Sequence, residues 1–270
     1  MANFIRKIIR KFMVKKETII KPIVVTVPQQ ELLLGKTALI TGGAGGIGFA
    51  IAKELKKAGA EVFISGRNEQ KLVVASSSLG CKYVVMDIGD IGATELKIEE
   101  MFRQHPIDIL VNSAGMHGDD PFGKVTEKTY DSVMDVNVKA LYFISQKIAN
   151  LMIESNMGGH ILNVCSASAL KPSWTPYEIS KRAVMGITEG MAHKLIKHSI
   201  VVNGIAPGPT LTPMLRTEEN LNWPANPSGR MSMPEEIAAL ALFMVGPQGD
   251  GVVGDTFFIT GGSGTIDKEK

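Results

Sequence analysis

The chain has little cysteine, no long apolar run and no large excess of either charge. Its two cysteines, Cys81 and Cys165, stand far apart in 270 residues. They exclude a disulfide framework and a clustered thiolate site, and they fit a reducing compartment. His117, His160, His193 and His198 show no ligand spacing, so surface or packing roles are expected for them and no metal. No run reaches the roughly 18 apolar residues of a membrane-spanning helix. With a net charge of only +2, the body offers no footprint for nucleic acid. A cytoplasmic location is expected. At this length one α/β domain with a sizeable core suffices, and no internal repeat is visible.

Acid is missing in one place. Residues 1–16 contain Arg6, Lys7, Arg10, Lys11, Lys15 and Lys16 and no carboxylate, which leaves the remainder net acidic by about four charges. Phe4, Ile5, Ile8, Ile9, Phe12 and Met13 fall on the opposite face of a helix. Three readings stay open: contact with an anionic membrane surface, a mitochondrial presequence, or packing on the body or a partner subunit. The segment is too short and too charged for a secretory signal. Residues 17–34 read as a linker with Pro22 and Pro28, and 23–27 as a short extended piece. Residues 35–270 read as a single domain.

What the chain does have is glycine, concentrated in Thr41-Gly42-Gly43-Ala44-Gly45-Gly46-Ile47-Gly48. An apolar strand-like run leads in. A helical pattern of Ile47, Ile51, Leu55 and Ala58 leads out. Strand, glycine turn and helix N-terminus together hold a pyrophosphate, because backbone N–H groups point at the anion. Each glycine costs about 0.5–1 kcal/mol of chain entropy, so five in eight residues point to function rather than packing. Thr41, Gly42, Ala44, Gly45, Gly46, Ile47 and Gly48 are therefore candidate cofactor residues.

Strands are expected at 37–41, 61–65, 82–86, 107–111, 160–165, 200–205 and 256–260, with helical patterns between most of them. This predicts a Rossmann-like, doubly wound, mostly parallel seven-stranded sheet with helices on both faces. Gly42, Asp87, Asn112, Ser166 and Pro207 would gather on one rim, where ligands of such sheets bind.

The second strand ends in Gly66-Arg67-Asn68, where an NAD site would carry a carboxylate for the ribose 2′-hydroxyl. Arg67 can instead grip a 2′-phosphate, so NADP(H) is the preferred cofactor and NAD(H) the alternative. Against this, Gly45 offers no second basic residue.

A helical pattern from 129 to 156 carries Asn137. A strand over 160–165 ends in Ser166. Tyr177 and Lys181, at i and i+4, share one face of a helix running to about 198. A phenol ordinarily titrates near 10, and a nearby ammonium stabilises its phenolate. That combination suits proton transfer at neutral pH.

With these motifs in order, the chain from Gly35 to Gly262 resembles the short-chain dehydrogenase/reductase family. The matching residues are Thr41-Gly42-x-x-x-Gly46-Ile47-Gly48, Asp87, Asn112-Ser113-Ala114-Gly115, Asn137, Ser166, Tyr177-x-x-x-Lys181 and Pro207-Gly208. The resemblance implies hydride transfer between a nicotinamide and a carbonyl or secondary-alcohol substrate. Tyr177 would be general acid or base, and Ser166 would hold the substrate oxygen. Lys181 would bind the nicotinamide ribose and favour the phenolate, and Asn137 would hold a relay water. Asp87 would contact adenine. Asn112, Ala114 and Gly115 would line the adenosine ribose and steady the sheet. Pro207, Gly208, Thr210 and Thr212 would meet the carboxamide and pyrophosphate. Pairing of the helices at 129–156 and 177–198 into a homodimer or homotetramer is expected by the same analogy.

Several positions depart from the family pattern. Ser166 and Tyr177 are closer than usual, Cys165 replaces a frequent serine, Ser113 an asparagine, and Thr260 an aspartate. Ser168 is the alternative to Ser166. Specificity is expected in loops 116–124, 167–176 with Trp174, and 211–233 with Trp223; the last carries no basic cluster suited to a phosphorylated substrate. A 3-oxoacyl-carrier-protein reductase competes with an NAD-dependent dehydrogenase of a small alcohol, sugar or steroid. A cofactor-binding regulatory protein is the reading from another class.

Overall fold

The computed structural model describes residues 28–118, 121–214 and 221–266; the expectations for residues 1–16 and 23–27 lie outside them. The strands are β1 (Thr37–Thr41), β2 (Glu61–Gly66), β3 (Lys82–Val85), β4 (Ile109–Asn112), β5 (Gly159–Val164), β6 (Ile200–Pro207) and β7 (Thr256–Ile259). The helices are α1 (Gly46–Lys57), α2 (Glu69–Leu79), α3 (Ile91–Gln104), α4 (Glu127–Met134), α5 (Leu141–Glu154), α6 (Pro176–Leu195) and α7 (Pro234–Val245).

Side-chain alternation explains the layers. Ile40, Ile64, Val111 and Leu162 pack into one apolar layer with α1, α2 and α7. Their chain neighbours Leu39, Phe63, Leu110 and Ile161 pack into a second with α3, α5 and α6. A strand that is apolar at successive positions needs cover on both faces. The sheet is parallel throughout, in the order β3-β2-β1-β4-β5-β6-β7. Its order reverses between β1 and β4, which opens a crevice beyond their carboxyl ends.

Helix ends follow local chemistry. Asn68, Asp90, Thr126 and Thr175 cap α2, α3, α4 and α6 through side-chain oxygens. At α6, Thr175 and Glu178 form a reciprocal capping box ahead of Pro176. Gly80 closes α2 with a φ of 62°. The interval expected as one helix over 129–156 is interrupted: residues Asp135–Ala140 widen into a π turn between α4 and α5. The end of the expected linker is also packed, since Leu33 is buried and its N–H donates to Ala58. No described helix is long and apolar enough to cross a membrane.

Candidate active site

The glycine turn leaves β1 with Gly42 at a φ of 67°. A Cβ there would lie 2.8 Å from the Ala114 Cα, and one at Gly48 would lie 2.5 Å from the Gly42 carbonyl oxygen. At Gly43 it would meet the Ile64 side chain at 2.6 Å. Packing therefore demands glycine at 42, 43 and 48, which corrects the expectation that packing plays no part. Gly45 and Gly46 differ. A Cβ at Gly45 meets nothing within 4 Å, and one at Gly46 only the Thr212 side chain at 3.4 Å. Gly45 is also the N-cap of α1, and it supplies no side-chain acceptor. This N-terminus thus keeps its first-turn N–H groups without the side-chain cap found at α2, α3, α4 and α6. An open cradle beside uncapped donors fits a dinucleotide pyrophosphate.

Thr41 is a brace. Its Oγ1 accepts from the N–H groups of Ser113 and Ala114 at 3.1 and 3.2 Å, tying the turn to the segment after β4. Asn112 is buried as well. Its Nδ2 donates to Ser145 Oγ and Asn163 Oδ1, and Asn163 donates to Thr188. Asn112 steadies β4 against β5 and α5, with its side chain inside the sheet.

Arg67 is exposed at the end of β2, beside Asn68, Gln70 and Val74. An adjoining hollow is lined by Ala44 of the glycine turn, Phe49, Asn68, Gln70 and Lys71. Lys71 was not legible as a site residue; its approach to the glycine turn needs the packing of α2 on α1. Asp87 is exposed, and its Oδ1 accepts from Gly89 N–H.

The catalytic candidates converge across three elements. Lys181 is only 5% exposed, although it is charged. Its Nζ donates to the Val164 carbonyl at 3.0 Å and lies 5.7 Å from the Tyr177 ring centroid. Gly115 sits between it and Asn137: a Cβ at Gly115 would be 3.7 Å from Lys181 Nζ and 3.6 Å from Asn137 Oδ1. Asn137 stands in the π turn and is buried. Its Nδ2 also donates to Ser180 Oγ, which donates to the Tyr177 carbonyl. The widened turn sets this side chain toward both the β4 loop and α6, a use of π turns that recurs at functional sites.

Ser166 opens a short 3₁₀ turn, Ala167–Leu170, and its Oγ accepts from Ser168 N–H. Neighbouring Cys165 is buried. Its thiol donates to the Lys181 carbonyl, and burial pushes its pKa up, which suits a packing role in place of the frequent serine. Gly208 is required by close approach, since a Cβ would lie 2.6 Å from the Thr260 carbonyl. Thr210 Oγ1 donates to the Gly208 carbonyl, and Thr210 bridges to Ser232. Pro207 ends β6 at the rim.

One neighbour was assigned a surface or packing role. The His117 ring lies against the Tyr177 ring, centroids 4.5 Å apart. Nothing in their spacing signals a contact between a loop and a helix start sixty positions apart.

The profile of the short chain dehydrogenase family matches residues 36–222. This chain is a short-chain dehydrogenase. It is 35% identical over 244 residues to gluconate 5-dehydrogenase of Gluconobacter oxydans, covering 85% of this chain and 95% of that one. It is 33% identical over 236 residues to 3-oxoacyl-(acyl-carrier-protein) reductase of Rickettsia bellii, covering 85% and 97%. Among solved structures, a gluconate 5-dehydrogenase from Burkholderia cenocepacia in complex with NADP and tartrate aligns with a TM-score of 0.81 and 30% identity, over 88% of this chain and 99% of that one. The short-chain dehydrogenase is accordingly an NAD(P)-dependent oxidoreductase acting on CH–OH groups.

Proposed function

We propose that this short-chain dehydrogenase is an NADP(H)-preferring reductase of a small-molecule carbonyl, running as an alcohol dehydrogenase in reverse. The observation that carries the reading is the buried Lys181 ammonium set beside the Tyr177 ring. In reduction the Tyr177 hydroxyl gives its proton to the carbonyl oxygen; in oxidation the phenolate takes it back. Ser166 Oγ donates a hydrogen bond to the same oxygen and holds it for reaction. Lys181 holds the nicotinamide ribose, its ammonium lying beside the Tyr177 ring. Asn137 orders the loop over the site and keeps a relay water beside Lys181. The bound nicotinamide supplies the hydride, and the chain supplies orientation and electrostatics.

Gly42, Ala44, Gly45, Gly46, Ile47 and Gly48 hold the pyrophosphate from one side, and Thr210 and Thr212 close on it from the other. Asp87, Ala114 and Gly115 line the adenosine end. Arg67, with Lys71 in the adjoining hollow, grips the 2′-phosphate, which supports NADP(H) over NAD(H). Residues 35–270 act as one catalytic unit that pairs with a second copy through the helices at 129–156 and 177–198.

A second reading follows from the names of the relatives, a gluconate 5-dehydrogenase and a 3-oxoacyl-(acyl-carrier-protein) reductase: the substrate is of one of those two kinds. Titration of the purified protein with NADPH and NADH, followed by a carbonyl screen, tests both. Tight NADPH with weak NADH and turnover lost in Tyr177→Phe supports the first. Equal or reversed affinity removes the NADP(H) preference.

A further inference from the structure

Each of the three loops above the rim leaves a large apolar side chain in water. After β4 these are Met116 and Phe122, before α6 it is Trp174, and after β6 it is Met214. Phe122 is 79% exposed and Trp174 47%. The two rings nevertheless meet edge to face, centroids 5.6 Å apart. Phe122 lies five residues beyond His117, which rests on Tyr177, and Trp174 lies three residues before Tyr177. Two ring contacts therefore join the segment after β4 to the first turn of α6 and the loop just before it.

The backbone is anchored at Met116, where the loop after β4 begins, and at Trp174 itself. Asn137 holds Met116 through its N–H and its carbonyl. The Trp174 N–H donates to Glu178 Oε2 within the α6 capping box. Exposed aromatic pairs are unusual where nothing covers them, because apolar surface left in water is unfavourable by about 25 cal/mol per Å².

We infer that Phe122 and Trp174 form an aromatic subsite, and that the substrate is a ketone carrying a flat or apolar flank rather than a polyhydroxy acid. The inference rests on the reductase reading above and names its substrate class. The flank lies against the edge-to-face pair while the carbonyl reaches Tyr177 and Ser166. Ring-on-ring contact adds to area burial and favours a planar group over a methyl.

The test compares ethyl benzoylacetate, ethyl acetoacetate and 5-keto-D-gluconate as substrates with NADPH. The first two share one reacting carbonyl and differ by phenyl against methyl. The phenyl ester is expected to have a kcat/KM about tenfold higher, equivalent to about 1.4 kcal/mol. Trp174→Ala and Phe122→Ala are each expected to bring that ratio toward one. A native ratio near one, or better use of 5-keto-D-gluconate, overturns the inference and leaves the reductase reading in place. A binding readout separates the two further. Of the two tryptophans, Trp223→Phe leaves only Trp174. Saturable quenching of its emission by the phenyl ester is expected. Quenching without turnover of any carbonyl supports the subsite and removes the reductase reading; absence of quenching overturns the subsite.

Discussion

Both ends of the Asn137 amide are engaged by one residue, Met116. Oδ1 accepts from the Met116 N–H at 2.7 Å, and Nδ2 donates to the Met116 carbonyl at 2.9 Å. The next residue, His117, lies on Tyr177. A buried amide on the π turn thus fixes the segment that packs on the Tyr177 ring. Asn137→Ala leaves the Met116 N–H without this acceptor, and the loss is expected to be about 1–3 kcal/mol of unfolding free energy. Urea unfolding measures it. Turnover should fall further than stability, because the loop over Tyr177 is released.

Tyr177→Phe removes the proposed proton donor and leaves the ring and its packing on His117. The expected result is a kcat lower by about 10²–10⁴-fold with NADPH affinity retained. Stopped-flow turnover and NADPH fluorescence titration on one preparation check both halves. Retained turnover would exclude Tyr177 as the acid–base group.

Gly48→Ala and Gly45→Ala should separate folding from binding. The first drives a methyl into the Gly42 carbonyl and is expected to lower the melting temperature. The second meets open space, so it should melt as the native protein does while binding nucleotide more weakly. Thermal melts with and without NADPH distinguish the outcomes.

Arg67→Ala and Lys71→Ala are each expected to weaken NADPH by about tenfold and NADH much less. The NADPH difference should shrink as salt is raised, since both side chains are reached by solvent. Equal losses for the two nucleotides would place these cations away from the 2′-phosphate.

The base of the loop before α7 carries an acid-sensitive clamp. The Arg230 guanidinium meets both Glu236 oxygens at 2.8 and 2.7 Å. That hydrogen-bonded pairing, with the Met233 N–H, holds the Glu236 carboxyl at about 2, against an ordinary value of 4.5. A carboxyl depressed on folding stabilises the fold above its unfolded value, and the contribution is lost as pH falls from about 4.5 toward 2. Both groups are partly exposed, so the effect is modest. Melting curves between pH 6 and pH 3 should show a shallower acid decline in Glu236→Gln.

The seven strands were legible because each is a short apolar run between glycine or polar breaks, and the parallel sheet needs such runs on both faces. The Tyr177–Lys181 pair was legible because i and i+4 share a helix face. The π turn at Asp135–Ala140 was not, since one widened turn barely disturbs the periodicity over 129–156. Gly43 and Gly48 were misjudged, because the backbone and side chain that crowd them come from tertiary packing. His117 on the Tyr177 ring and Lys71 in the hollow beside Ala44 escaped for the same reason: each is placed by packing between separate segments, which no local spacing records.

The missing cap on α1 has a consequence for how the protein persists. A helix that begins on Gly45 has first-turn donors with no side-chain cap, and in the proposed reading the nucleotide completes them. Nucleotide binding and resistance to unfolding then become one linked equilibrium, and nucleotide at a hundred times its Kd adds about 2.7 kcal/mol. Where the chain is made faster than nucleotide is supplied, the surplus copies are the ones most open to proteolysis. Cofactor supply would then govern how long each copy survives as well as how fast it turns over.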